Sequence, residues 1–135
     1  MANALYDSGR EGFLDGSIDW DTDTINCHFI DEADDTIDLA NDSVWSDRAA
    51  AANVAESGSF SSKTVTAGVA DAADVTFSAV TGDQCESIDI KQDTGTDSTS
   101  RLIANIDTAT GLPVTPNGGD ITITWDSGSN KIFKL

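Results

Sequence analysis

The feature that most constrains this chain is a two-residue alternation of apolar and polar side chains, repeated in several short runs. It is clearest in the closing third, RLIANIDTATGLPVTPNGGDITITWDSGSNKIFKL, residues 101–135. LIANID puts Leu102, Ala104 and Ile106 on one face, and DITITW puts Ile121, Ile123 and Trp125 on the matching face of another strand. Successive side chains of a strand point to opposite faces, so this period predicts half-buried strands. Between the two runs lie Gly111, Pro113, Pro116, Gly118 and Gly119, all strand breakers. DSGSN then marks a tight turn, and KIFKL returns as a short final strand.

The alternation recurs upstream. TINCHFID predicts a strand over 24–31, with Ile25, Cys27 and Phe29 on one face and Asn26 and His28 on the other. In that register Cys27 points inward as a small hydrophobe, and His28 faces solvent or a partner. SKTVTAG, DVTFSAV and ESIDIKQ supply further strands, separated by clusters of Gly, Asp, Ser and Thr. The expected fold is all-β: a single-domain antiparallel β-sandwich or jelly-roll-like barrel spanning 1–135. A chain of 135 residues suits one domain, and no repeat or linker divides it.

Two segments depart from this pattern. The N-terminal arm, 1–20, carries Leu5, Tyr6, Phe13 and Leu14, interrupted by Gly9 and Gly12. Each glycine weakens a helix by about 1 kcal/mol, so either a short helix or an extended arm fits. Residues 36–58 form an irregular or short helical excursion. Its Ala-rich centre, 49–55, has helical propensity, Asp47 is a candidate cap, and Trp45 is its natural anchor. Apolar and aromatic positions outside the strands are the expected partner contacts: Leu5, Tyr6, Phe13 and Trp45. The alternative is that they close the ends of the sandwich.

Charge narrows the classes of partner. The chain has 24 acidic and 7 basic residues, a formal net charge of −17. Such a surface repels nucleic acid and anionic membranes, because affinity for phosphate depends on Lys and Arg. It fits either a solubilising exterior or a surface that meets a basic partner or cations. No run approaches the roughly 20 apolar residues that span a bilayer. The N-terminus lacks the apolar core of a signal peptide, so synthesis in a cytoplasm is expected. Cys27 and Cys85 have no metal-type spacing; two reduced, buried thiols are expected, with a disulfide as the alternative.

No catalytic motif is present, and no cofactor, metal or enzymatic activity is expected. Asp19, Asp21 and Asp23 mimic the start of a calcium-binding EF-hand loop. Thr24, however, stands where its turn glycine belongs, and Ile30 stands where its bidentate glutamate belongs. A solvated turn is the simpler reading, as it is for EADD at 32–35 and DTGTD at 93–97. His28 is the only histidine, and Cys27 beside it points the opposite way on a strand, which spoils a direct Cys–His pair. PNGGD at 116–120 has the glycines of an anion nest, but Asp120 argues against phosphate and for a structural turn.

Three stretches carry a resemblance to a known class. ALYDSGREGFLDGSIDWDTDTI, SSKTVTAGVADAADVTF and SRLIANIDTATGLPVTPNGGDITITWDSGSNKIFKL resemble small structural proteins of tailed bacteriophages. The resemblance covers most of the chain, is strongest in the final third and fades over 26–60. It implies a virion component without catalytic residues. An acidic β domain is repelled by packaged DNA, so the expected position is the outer capsid surface, as a cement or decoration protein on the major capsid protein. A dimer or trimer is expected there, with a tail or fibre subunit, or a host-surface or glycan-binding module, as alternatives.

Overall fold

The computed structural model describes residues 3–135, and the chain is all-β with one helix among them. In chain order the elements are β1 (Ala4–Leu5), α1 (Asp7–Asp15), β2 (Ile25–Ile30), β3 (Asn53–Glu56), β4 (Thr64–Thr66) and β5 (Val69–Asp71). They continue with β6 (Val75–Phe77), β7 (Ser87–Gln92), β8 (Leu102–Ile106), β9 (Ile121–Ile123) and β10 (Phe133–Lys134). Three antiparallel sheets result: β1-β8-β7-β2-β3, β10-β5-β4 and the ribbon β6-β9. Every run expected to be a strand contains one. β1, β3 and β5 are additional, each only two to four residues long.

The sandwich core forms where the apolar face of the five-stranded sheet meets the two smaller sheets. Ile25, Cys27 and Phe29 of β2 and Ile88 and Ile90 of β7 pack with Ala70, Val75 and Phe77. The Phe29 and Phe77 rings lie 4.5 Å apart, and Trp20 sits edge-on to Phe133 at 5.2 Å. Each such aromatic contributes about 1.5–3 kcal/mol by leaving water, which is why these layers stay together. Ile121, Ile123 and Trp125 pack against this core half-buried, at its margin.

The expected shared face of Leu102, Ala104 and Ile106 does not survive. Ile90 pairs with Ala104 and Lys91 with Leu102, so Ile103 is the extra residue of a bulge. The bulge turns Leu102 to the opposite face, where it packs with Tyr6, Ile30 and Trp45. Ile103 and Ala104 remain with the sandwich core.

The arm is both strand and helix. β1 pairs with β8, and α1 lies against β8 through Gly9, where a Cβ would stand 2.6 Å from the Ile103 carbonyl oxygen. The glycines thus serve close approach, and their cost in helix propensity is offset by packing. Gly16 ends the helix in the left-handed conformation.

The excursion is not a helix over 49–55. It makes two single 3-10 turns, Trp45–Asp47 and Ala50–Ala52, then becomes β3 on the edge of β2. Asp47 does not cap a following helix; its Oδ2 accepts from the amides of Ser43 and Val44, at 2.8 and 3.0 Å. Pairing with β2 outweighs the helical preference of alanine, a propensity of only a few tenths of a kcal/mol per residue.

Candidate functional site

β2 and β7 each carry polar side chains at alternate positions, β8 adds Asn105, and the sheet lines these up in rows. His28 pairs with Asp89, and Asp89 pairs with Asn105. Asn26 pairs with Lys91, and Ile30 with Ser87. Such a face ordinarily meets water. Here residues 31–52, together with Tyr6, cover it, and all of these side chains are buried. His28 is fully buried, which corrects the expectation that it faces solvent or a partner.

The centre of this face is a polar network. Asp89 Oδ1 accepts from the Tyr6 hydroxyl at 2.6 Å and from Asn105 Nδ2 at 2.9 Å. Asp89 Oδ2 accepts from Arg48 Nε at 3.1 Å. The Arg48 guanidinium also donates to the Tyr6 oxygen at 2.9 Å and contacts Asp35 at 3.1 Å and Asp42 at 3.0 Å. Burial opposes the Arg48 charge, but Asp89, Tyr6 and Asp42 together raise its pKa above the ordinary value. Burial, then the Asp89 charge, raises the Tyr6 phenol well above its usual range. Arg48 therefore stays cationic and Tyr6 stays protonated, so the network ties the 31–52 cover to the central strand.

Beside it, His28 stacks on Trp45 and shares a 2.9 Å contact between its Nδ1 and Asn53 Oδ1. Lys91 Nζ stands 4.9 Å from the centre of the Trp45 ring. His28 Nε2 and Asn26 Oδ1 are buried without a hydrogen-bond partner. Glu56 Oε1 accepts from Asn26 Nδ2 at 2.9 Å and lies 3.9 Å from His28 Nε2.

On the other side of the molecule a groove of about 550 Å3 opens between the β6–β9 ribbon and the 107–116 loop. Ile106, Leu112, Ile121, Ile123 and Trp125 supply apolar walls, and threonines and Lys131 stand among them. Trp125 is pinned there, its indole N–H donating to the Ala73 carbonyl at 3.1 Å. This shape suits an apolar group with a polar edge.

The expected contact residues fall into two places. Tyr6 and Trp45 come together in the second core cluster, Tyr6 fully buried and Trp45 8% exposed. Leu5 and Phe13 are half-buried against the first core, with the Phe13 ring 5.7 Å from Phe133. Tyr6 and Trp45 therefore lack the exposure expected of contacts, whereas Leu5 and Phe13 keep part of theirs. Among the described residues, the exposed large apolar side chains are Leu14, Val65 and Leu135.

The acidic loops are internally bonded. Asp23 Oδ2 accepts from the Asp19 amide at 2.8 Å and from Gln92 Nε2 at 2.7 Å. Asp31, Asp34 and Asp83 bring carboxylates within 4.8 Å of one another. In DTGTD, Asp93 accepts from the Gly95 amide and from Asn26. In PNGGD, the Gly118 amide donates to the Val80 carbonyl, and Asp120 accepts from the Ala79 amide, so the loop is bonded as a turn. Cys27 and Cys85 are buried free thiols, and burial pushes each up to about 12. No described helix is long and apolar enough to cross a membrane.

No protein-family model matches the chain, and no curated protein is significantly similar to it. The network of Tyr6, Arg48, Asp89 and Asn105 was missed in sequence because its members lie on four different segments. Arg48, isolated between Trp45 and an alanine run, is the one weak signal.

Proposed function

We propose that this protein is a non-enzymatic virion component, a capsid cement that binds the outer surface of the major capsid lattice and stabilises the head. The observation that carries this reading is the resemblance of three long stretches, strongest over 100–135, to small structural proteins of tailed phages. The charge of −17 supports an outer position, since packaged DNA repels it. The arrangement of polar groups is compatible with a structural role: Arg48, Asp89 and Tyr6 bond to one another beneath a cover, away from solvent.

A cement acts by mass action. It binds the mature lattice better than the precursor or the free subunits, and so shifts the equilibrium toward the closed shell. Imaging of purified particles tests this directly. Hundreds of copies spread over the head, and heads that burst at lower temperature without the protein, are expected. A few copies confined to the tail would replace the reading with a tail or fibre subunit.

The groove favours a second reading, a host-surface or glycan-binding module. Its Trp125 wall and threonine rim suit a sugar ring, which has one apolar face and polar edges. Retention of the isolated protein on host cells or immobilised glycans, and its loss in Trp125→Ala, would support that alternative.

A further inference from the structure

β4 is an edge strand, and its sequence, Thr64-Val65-Thr66, is exposed at every position. Its pairing shows which backbone groups are free. Ala70 of β5 turns toward β10: Phe133 is its register partner, and the Ile132 amide donates to its carbonyl. Val65 lies opposite Ala70, so the two form a non-hydrogen-bonded pair. The tight Ala67–Gly68 turn, with φ of 54° and 78°, closes the hairpin on the hydrogen-bonded pair Thr66–Val69 and sets the same phase. The Val65 N–H and C=O therefore point outward, away from β5, and its side chain is 56% exposed.

Charge makes this edge unlike the rest of the surface. Ser57 to Ala70 is the longest run of the chain without Asp or Glu. Lys131 and Lys134 stand at the opposite, β10 edge of the same sheet, where Lys131 pairs with Asp71, and of the lysines Lys63 alone directly adjoins β4. In a molecule of charge −17, this is the edge where a second copy can approach without carboxylates meeting carboxylates.

We propose that β4 pairs antiparallel with β4 of a second copy, about a two-fold axis at Val65. The two three-stranded sheets then become one six-stranded sheet. Val65 exchanges both backbone hydrogen bonds with Val65 of the partner subunit, and each Thr64 stands opposite Thr66 of the partner subunit. Only an odd-length edge centred on an outward-facing residue allows this isologous arrangement. Lys63 and its copy lie about 13 Å apart along such a ladder, beyond the Debye length of about 8 Å, so they repel weakly. The inference does not depend on the capsid reading, since the contact belongs to the isolated protein.

Sedimentation of the purified full chain tests it. Two backbone bonds and one apolar pair make a weak contact, so the measurement must extend to about 1 mM. The mass is expected to rise from 14.1 kDa toward twice that value with concentration. Val65→Pro removes the outward donor, and Val65→Asp keeps the backbone but places two carboxylates face to face. Both are expected to weaken association at least about tenfold, with unchanged far-ultraviolet dichroism. A chain that stays at 14.1 kDa throughout, a trimer, or a dimer that survives both substitutions overturns the proposal.

Discussion

The His28 imidazole lies flat on the Trp45 indole, ring centres 3.8 Å apart and planes 19° from parallel. Burial, followed by the contact with Asn53, governs its titration, and the net effect is to lower its pKa to about 4. An unfolded chain binds this proton near pH 6.5, so between about pH 6.5 and 4 the unfolded state holds more protons than the folded one. Stability should therefore fall as pH drops through that window, by about 3 kcal/mol from His28 alone. Urea midpoints measured from pH 7 to pH 4 should decline more steeply for the native chain than for His28→Gln. Equal slopes would mean that His28 is not the buried neutral group described.

Arg48 is the cation that three carboxylates share. Replacing it with Met leaves Asp89 buried and uncompensated, and a broken buried pair of this kind costs about 3–5 kcal/mol. Denaturant unfolding of Arg48→Met should show that loss. A change below about 1 kcal/mol would place the pair among weak surface bridges.

Gly9 and Gly58 make a contrasting pair. A Cβ on Gly9 would meet the Ile103 backbone, at 2.6 Å from its oxygen and 2.8 Å from its Cα, whereas Gly58 has nothing within 4 Å. Gly9→Ala should lower stability by about 1–3 kcal/mol despite the better helix propensity of alanine. Gly58→Ala should be neutral or slightly stabilising, by less than about 1 kcal/mol. Thermal melts of the two variants check the order.

Neither thiol should react in the folded state. Cys27 and Cys85 are both fully buried and both held near 12, so almost no thiolate exists at about pH 8. A thiol reagent should count none in the native protein and two after unfolding in urea. A rapidly reacting thiol in the native protein would show that its site opens locally.

Where a signal is local, the sequence is informative. The alternation of Ile25, Cys27 and Phe29, of Val75 and Phe77, and of Ile88 and Ile90 is enough to determine an all-β chain, because side-chain direction along a strand depends only on the backbone. The same alternation does not say what covers a polar face. His28 reads as a position facing solvent or a partner, and Tyr6 and Trp45 as exposed contacts. The 31–52 segment and the arm fold over that face and bury them all.

Only the tertiary structure decided the bulge at Ile103, the use of Gly9 for close approach, and the bonding of Arg48 to Asp89 across 41 residues. Each depends on which distant segment arrives at a given face. That choice is set by the summed packing of the whole chain, which no local period records.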